Sequence, residues 1–524
     1  MRAIEDRSEE AGISTDTLME NAGLAVAHAA RRMAAPLVGV PVVVLVGSGN
    51  NGADGLVAAR HIQRWGARVT AYLCRERGTP DPKLEAARCA GVDVAAASDD
   101  PGLARLKGLL DSAHLVIDAM LGTGRARPVE GLFKEVLGAL GATRRDSCSA
   151  KLLALDLPTG LSCDTADVDP ACVAADVTVA LGYPKRGHLA FPGADYVGRL
   201  EVADIGIPPG LDDYVQVSLL TSEWARGALP RRPDNSHKGT FGRTMIVAGS
   251  RSFLGAAYLA AASAARVGAG LVTIAIPDSL VSSVAPRAVE PTFLPLPESG
   301  EGVVSPDAAG LILEAAGGYS ALLVGCGLGQ ADDTRAMVER LLLSGAALPA
   351  TVVDADGLNT LARIPDWHCR WAEKAVLTPH PGEMARLVNS PNSSLSITQQ
   401  IPSPLRERAR VRVLSRLDLA RTTAREWSKT VVLKGAYTVV AHADGHAQVS
   451  PFANPGLATA GTGDVLAGAV AGLLSQGLEP ETAASLGVYL HGLAGESVRE
   501  RLGDTGMIAS DLLAALPNTV RDLR

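Results

Sequence analysis

The apolar run "PVVVLV" (41–46) passes without a spacer into "GSGNNGADG" (47–55), and a helix-like segment follows. A strand that ends in glycines and turns directly into a helix is the opening unit of a parallel α/β sheet, so this stretch constrains the fold more than any other. Gly47, Gly49 and Gly52 satisfy G-x-G-x-x-G, whose glycines let backbone amides at a helix N-terminus approach a phosphate. A tight strand-to-helix turn with Asp54 in the first helical turn explains the same residues without a ligand.

The same grammar repeats to about residue 206. Short β-branched runs, "ARVTAYL", "HLVIDAML", "KLLALDLP", "VTVALG" and "GRLEVADIGIP", alternate with Ala-rich helical patterns, as buried parallel strands and their crossover helices do. Between Pro208 and His237 the periodicity fades into "GALPRRPDNSHKG", a turn-rich connector. Strand signals resume as "RTMIVAG", "GLVTIAIP", "ALLVGCG", "ATVVDADG", "KAVLTPH" and "KTVVLKGAYTVVAH", with the apolar helix "GDVLAGAVAGLLSQG" near the end. A chain of 524 residues is too long for one typical core. The expectation is an α/β protein of two domains, 1–220 and 221–524. The polar stretch "NSPNSSLSITQQIPSP" (389–404) reads as a surface insertion in the second.

Composition narrows the function classes. A net charge of -7 leaves no basic footprint for nucleic acid. Seven cysteines with no CxxC pair indicate neither a disulfide framework nor a zinc site, and a reducing cytoplasm is the expected compartment. The acidic start lacks an apolar signal core and no apolar run is long enough to span a bilayer, so no membrane partner is expected. A monomer and a homo-oligomer both fit.

Asp118 in "VIDAMLGTG" and Asp156 in "LALDLPTGLSCDT" close two later strands, and ligands of open α/β sheets collect at those strand ends. A carboxylate, an Asn oxygen and a hydroxyl such as Thr159 form an all-oxygen set suited to a hard cation, while a second Asp beside them could act as acid or base. Each acid alone could equally be a helix cap. An ordinary dehydrogenase is disfavoured, because Cys74-Arg75-Glu76 close the next strand without a clear ribose-binding acid.

Together with "LMENAG" (18–23) and "GYPKRGH" (182–188), these blocks resemble the NAD(P)H-hydrate epimerase family over most of residues 1–210. The resemblance implies a Rossmann-like three-layer sandwich that binds the hydrates of NADH or NADPH (NADHX, NADPHX) and a potassium ion. It implies that Asn50, Asn51, Gly52, Ala53 and Asp54, with Gly122, Thr123, Gly124, Arg125, Ala126, Arg127 and Pro128, hold the substrate. Asp156 would contact it as the acid/base, and Asn51, Asp118 and Thr159 would hold potassium. Ala53 and Ala166 stand where the family has Gly, and Thr159 where it has Ser. Threonine keeps the oxygen ligand, whereas the Ala53 methyl would weaken the epimerase if the loop needs a positive φ there.

Near the C-terminus Gly461-Thr462-Gly463-Asp464 precedes a strongly apolar helix, so the amides of 461–463 point out of a helix N-terminus. Such a turn stabilises charge developing on a transferring phosphoryl group, and Asp464 beside it can take the proton from an attacking hydroxyl. A glycine-rich turn with a first-turn Asp is the plainer reading. "HKGTFGR" (237–243), "GAAYLAAASAARVGAGLV" (255–272), "GCGLGQ" (325–330), "VVDADGLN" (352–359), "TPHPGE" (378–383) and "KGAYT" (434–438) accompany it. The set resembles the ADP- or ATP-dependent NAD(P)H-hydrate dehydratases of the ribokinase-like superfamily. By that resemblance Lys434, Gly435, Ala436, Tyr437, Thr438 and Gly463 contact the adenine nucleotide, and Ala256, Gly327 or Gly329, His380 and Asp464 contact the hydrate. Magnesium would accompany the nucleotide phosphates, and Asp354, Asp356, Asn359 and Glu383 lie where they could reach its waters or simply cap helices.

The resemblance implies a bifunctional repair enzyme: one domain interconverts the epimers of NAD(P)H hydrate, and the other dehydrates the S form through a phosphorylated intermediate. The alternatives are a ribokinase-like vitamin or sugar kinase and a non-catalytic, nucleotide-binding first domain that regulates the second.

Overall fold

In a computed structural model the chain is described at residues 1–78, 80–124, 128–146, 150–371, 374–390 and 415–524. It divides into two compact units, Met1–Val215 and Gln216–Arg524. The division falls ahead of residue 220 because a short strand, Val217–Leu219, pairs within the second unit.

The first unit is a seven-stranded parallel sheet: β1 (Pro41–Val46), β2 (Arg68–Leu73), β3 (Asp93–Ala96), β4 (Leu115–Ala119), β5 (Lys151–Leu155), β6 (Val177–Leu181) and β7 (Arg199–Ala203). The spatial order is β3-β2-β1-β4-β5-β6-β7, and β1 is hydrogen-bonded in parallel to both β2 and β4. The strands are apolar on both faces because helices cover both. Thr15–Ala34, capped by the Ser14 side chain, and Asn50–Arg64 bury Val26, Ala30, Leu56 and Ile62 on one face. Ala104–Ser112 and Gly131–Asp146 bury Leu106, Leu110, Val136 and Leu140 on the other. Strand order reverses between β1 and β4, which opens a crevice at their carboxyl ends.

The second unit contains β8 (Val217–Leu219), β9 (Arg243–Val247), β10 (Leu271–Pro277), β11 (Thr292–Leu296), a small antiparallel pair β12 (Glu298–Gly300) and β13 (Val303–Val304), then β14 (Ala321–Val324), β15 (Ala350–Val353), β16 (Ala375–Leu377), β17 (Thr430–Leu433), β18 (Val439–Ala441) and β19 (Ala447–Val449). Its main sheet has ten strands in the order β11-β10-β9-β14-β15-β16-β17-β18-β19-β8. The run "KTVVLKGAYTVVAH" is two antiparallel strands, β17 and β18, joined through Lys434–Thr438. The reversal here lies between β9 and β14, and Gly249, Gly325 and Asp354 follow the strands around it.

Thr462–Ser475 is buried almost throughout and packs on Leu254–Arg266. Gly468 permits the close approach, since a Cβ there would come within 2.1 Å of the Ala260 carbonyl. Ser263 Oγ donates to the Val465 carbonyl at 2.6 Å, which fixes the start of the apolar helix relative to its neighbour. The insertion expected at 389–404 falls, from 391 on, outside the described residues.

Candidate active sites

In the first unit Gly49 is the N-cap of the helix Asn50–Arg64, so the first-turn amides point out into the crevice between β1 and β4. A cavity of about 430 Å³ covers this end, lined by Asn50, Asn51 and Asp54 of the helix, Gly122, Thr123 and Gly124 after β4, Asp156 after β5 and Lys185 after β6. Pro128 lines an adjoining cavity of about 400 Å³ with Gly122 and Gly124. Gly52 and Ala53 are buried in the helix and do not line the cavity. Arg125, Ala126 and Arg127 lie outside the described residues.

Asp156 has φ of 66°, a left-handed conformation rare for a residue with a side chain. Several partners hold it there. Its Oδ1 accepts from the Leu181 N–H at 3.0 Å and from the Lys185 ammonium, which also donates to the Leu181 carbonyl at 2.9 Å. The Lys185 N–H donates to His188 Nδ1 at 3.0 Å, so Nε2 carries the proton and donates to the Asp156 carbonyl at 2.7 Å. Burial, with Lys185 nearby, pushes the His188 pKa down to about 4 and keeps the ring neutral. Asp54 is buried, and its Oδ1 has no hydrogen-bond partner among the described residues. Burial above all, then Asp156 and Glu5, holds its carboxyl well above the usual range.

Of the three expected cation ligands, Asp118 and Thr159 are hydrogen-bonded to each other beneath the same crevice, and Asn51 lines the cavity. Thr159 donates its N–H to Asp118 Oδ2 at 2.8 Å and its hydroxyl to Oδ1 at 2.7 Å, and its Oγ1 accepts from the Leu121 N–H. Asn51 Oδ1 would lie 2.9 Å from a Cβ placed on Gly122, so the amide abuts the following loop. Burial raises the Asp118 pKa against its hydrogen bonds from Thr159 and Met120. A monovalent cation would relieve that buried charge, and these donors fit one.

The glycine expectation is reassigned by the backbone. Ala53 lies inside the helix, its N–H bonded to the Gly49 carbonyl at 3.2 Å, so no positive φ is required of it. Ala166 carries the left-handed conformation instead, with φ of 61°.

In the second unit Gly461, with φ of 90°, is the N-cap of Thr462–Ser475. His491, a buried residue, donates from Nε2 to the Thr462 carbonyl at 2.9 Å and so holds the turn from below. Burial takes its pKa down to about 4, so it stays a neutral donor. Asp464, Asp354 and Cys326 bring ligating atoms within 4.8 Å of one another, and Cys326 Sγ lies 3.8 Å from Asp354 Oδ2. Burial first, then the charge of Asp354, pushes the Asp464 pKa up to about 6. Lys434 donates to Asp354 at 2.6 Å and lies 3.9 Å from Glu383. A Cβ on Gly463 would fall 3.4 Å from Lys434 Nζ, and one on Gly327 2.9 Å from Ala256 Cβ, so these residues share one end of the sheet.

The remaining expected residues have local bonds. Glu383 accepts from the His380 N–H at 2.7 Å, and His380 Nδ1 accepts from the Gly382 N–H, a reciprocal helix cap that leaves the imidazole half exposed. Asp356 accepts from the Gly329 N–H at 2.8 Å and from Gln330, and Asn359 accepts from Arg386 at 2.8 Å. Gly435 and Tyr437 both have positive φ, and Arg416 clamps this turn through the carbonyls of Leu433, Lys434 and Ala436. Sequence reasoning assigned no role to Lys185, His188, Cys326, His491 or Arg416. Lys185, His188 and Cys326 were visible inside quoted motifs, but their partners are set by the fold.

These two sites define a class: a two-part α/β enzyme with a dinucleotide-type crevice in one unit and a phosphoryl-transfer turn in the other. The family model described as NAD(P)H-hydrate dehydratase matches residues 244–518, and that described as YjeF-related protein N-terminus matches 15–187. A bifunctional NAD(P)H-hydrate repair enzyme of Moorella thermoacetica is 40% identical, the match covering 98% of this chain and 94% of that protein. One from Thermofilum pendens is 37% identical over 99% of this chain and 94% of its own. An ADP/ATP-dependent NAD(P)H-hydrate dehydratase from Bacillus subtilis, co-crystallised with ATP/Mg2+, is 28% identical, with a TM-score of 0.47 over 59% of this chain and all (100%) of its own. The chain belongs to the bifunctional NAD(P)H-hydrate repair enzyme family. Because the match to such enzymes spans both units, the vitamin or sugar kinase alternative is not favoured. Among the described residues no helix is long and apolar enough to cross a membrane.

Proposed function

We propose that the first unit interconverts the epimers of NADHX and NADPHX, and that the second dehydrates the S epimer with ADP or ATP through a phosphorylated intermediate. Support comes from the full-length likeness to repair enzymes that carry both units. The observation that carries the reading is Asp464, a half-buried carboxylate of raised pKa beside an amide-lined helix N-terminus.

In dehydration Asp464 takes the proton of the substrate hydroxyl as its oxygen attacks the terminal phosphorus, and the bond from that phosphorus to the nucleotide breaks. The amides of the 461–463 turn stabilise the charge on the phosphoryl oxygens. The ring nitrogen's electron pair then expels phosphate, and loss of a proton from the neighbouring ring carbon restores the dihydropyridine. Lys434 is paired with Asp354, and the neighbouring Asp354 charge in turn raises the basicity of Asp464. Ala256, Gly327, Gly329 and His380 are proposed hydrate contacts, and Lys434–Thr438 with Gly463 the nucleotide side. Magnesium, when it arrives with the nucleotide, supplies charge neutralisation on the phosphates. The Cys326–Asp354–Asp464 group is a poor cage for it, since a buried thiol is a soft ligand and Lys434 already fills Asp354.

In epimerisation Asp156, its carboxylate held by the Lys185 ammonium, takes the proton of the ring hydroxyl as the carbon–nitrogen bond at that carbon opens to an aldehyde and the nitrogen takes up a proton. Reclosure on the other face of the aldehyde, with the protons returned, gives the second epimer. Asp54, whose carboxyl burial holds well above the usual range, offers the complementary acid in the same cavity. Asn50, Asn51 and Asp54, with Gly122–Pro128, are the proposed substrate contacts. Potassium would be held by Asn51, Asp118 and Thr159, and when bound supplies positive charge beside the glycine turn. A reducing cytoplasm is the proposed compartment.

Phosphate release tests the reading. One phosphate per NADH formed is expected with ADP or ATP, and NADH recovery without nucleotide consumption contradicts it.

A further inference from the structure

The cavity at Asp156, about 430 Å³, is at the small end of the roughly 300–1,000 Å³ that enclose one drug-sized ligand, and the proposed substrate is a dinucleotide. Half of that substrate needs another place. A cavity of about 1180 Å³ opens in the same unit at the carboxyl ends of β2 and β3. The glycine turn separates the two cavities. Arg77, on the wall of the larger one, donates to the Gly47 carbonyl at 2.5 Å, lies 3.3 Å from that of Gly49, and is itself fixed by Asp81 at 2.5 Å.

We infer that this larger cavity binds the adenosine monophosphate half of the hydrate, with the pyrophosphate crossing the helix N-terminus at Asn50. The inference rests on the epimerase reading above. Sheet order supports the direction. The reacting ring belongs at Asp156 after β5, on one side of the reversal between β1 and β4, so the remainder of an extended dinucleotide lies on the other side, over β2 and β3. The walls suit a purine: Leu73, Ala97, Leu132 and Phe133 are buried or half-buried and line the cavity. Arg75 stands exposed at its edge, where its guanidinium can meet a ribose 2′-phosphate.

The test uses the full chain without adenine nucleotide, so that only epimer exchange is read, with NADHX, NADPHX and the hydrate of reduced nicotinamide mononucleotide, which lacks the adenosine monophosphate half. Ala97→Trp, which fills the cavity, is expected to raise KM for both dinucleotides at least tenfold and to leave exchange of the mononucleotide hydrate unchanged. Arg75→Glu is expected to raise KM for NADPHX severalfold more than for NADHX. Unaltered dinucleotide KM values in Ala97→Trp overturn the inference. If Ala97→Trp loses all three substrates, Arg75→Glu decides, and an unchanged ratio of NADPHX to NADHX KM overturns it. A wild-type chain that exchanges neither the dinucleotide nor the mononucleotide hydrate refutes the epimerase reading itself and this inference with it.

Discussion

Lys434 Nζ lies 2.6 Å from Asp354 Oδ1, and the two side chains are 17% and 2% exposed. Burial alone would depress the lysine, but Asp354 and then Glu383 outweigh it and hold its pKa above the ordinary value. Removing one member of such a pair leaves an uncompensated buried charge and typically costs about 3–5 kcal/mol. Lys434→Met is expected to lower the stability of the second unit by that order in denaturant titration and to reduce dehydration at least a hundredfold. Adding Asp354→Asn to the same chain should recover most of the stability and none of the activity.

Asp464 makes the pH dependence specific. As the base it must be ionised, so kcat/KM for dehydration should fall about tenfold per unit as pH drops below about 6. Stability runs the other way. A carboxyl raised in the folded state binds its proton more tightly there than in the unfolded chain, so its stabilising contribution is present at low pH and lost as pH rises through about 6. Asp464→Asn should therefore abolish dehydration while raising the melting temperature at pH ~8 by a few degrees. An unchanged or lower melting temperature would contradict the burial argument.

The Asp156–Lys185 pair gives the corresponding separation in the first unit. Lys185→Ala removes the ammonium that holds the carboxylate of a residue with left-handed backbone and should slow epimer exchange by about 10²–10³-fold. Dehydration of the S epimer, measured separately, should be unchanged.

Much of this was legible in the chain. The strand ends carrying Asp118, Asp156 and Asp354 follow from short β-branched runs, and the 461–464 turn from glycines ahead of an apolar helix. Partnerships across the fold were not. Lys185 meets Asp156 across 29 residues and His491 meets Thr462 across 29, distances over which no local periodicity carries information. The "KTVVLKGAYTVVAH" run also hid its own reversal, because Lys434–Thr438 turns back on positive φ at Gly435 and at Tyr437, a residue with no glycine-like signature.

The two alanines illustrate the same limit. Ala53 is helical and buried, so Ala53→Gly should cost about 1 kcal/mol in unfolding experiments and leave epimer exchange intact. Ala166 pays roughly 1–2 kcal/mol for its left-handed backbone, but its fully buried methyl returns about 0.8 kcal/mol and alanine restricts the unfolded chain by about 0.4–1 kcal/mol. Ala166→Gly is therefore expected to be nearly neutral, within about 1 kcal/mol, by denaturant titration.

The most direct measurement follows recovery of NADH absorbance from a mixed pool of R- and S-NADHX given the purified chain and ADP or ATP. Two linked activities predict recovery of the whole pool, with the R fraction consumed faster than it epimerises spontaneously. Recovery that stops at the S fraction, or no recovery with either nucleotide, would contradict the account.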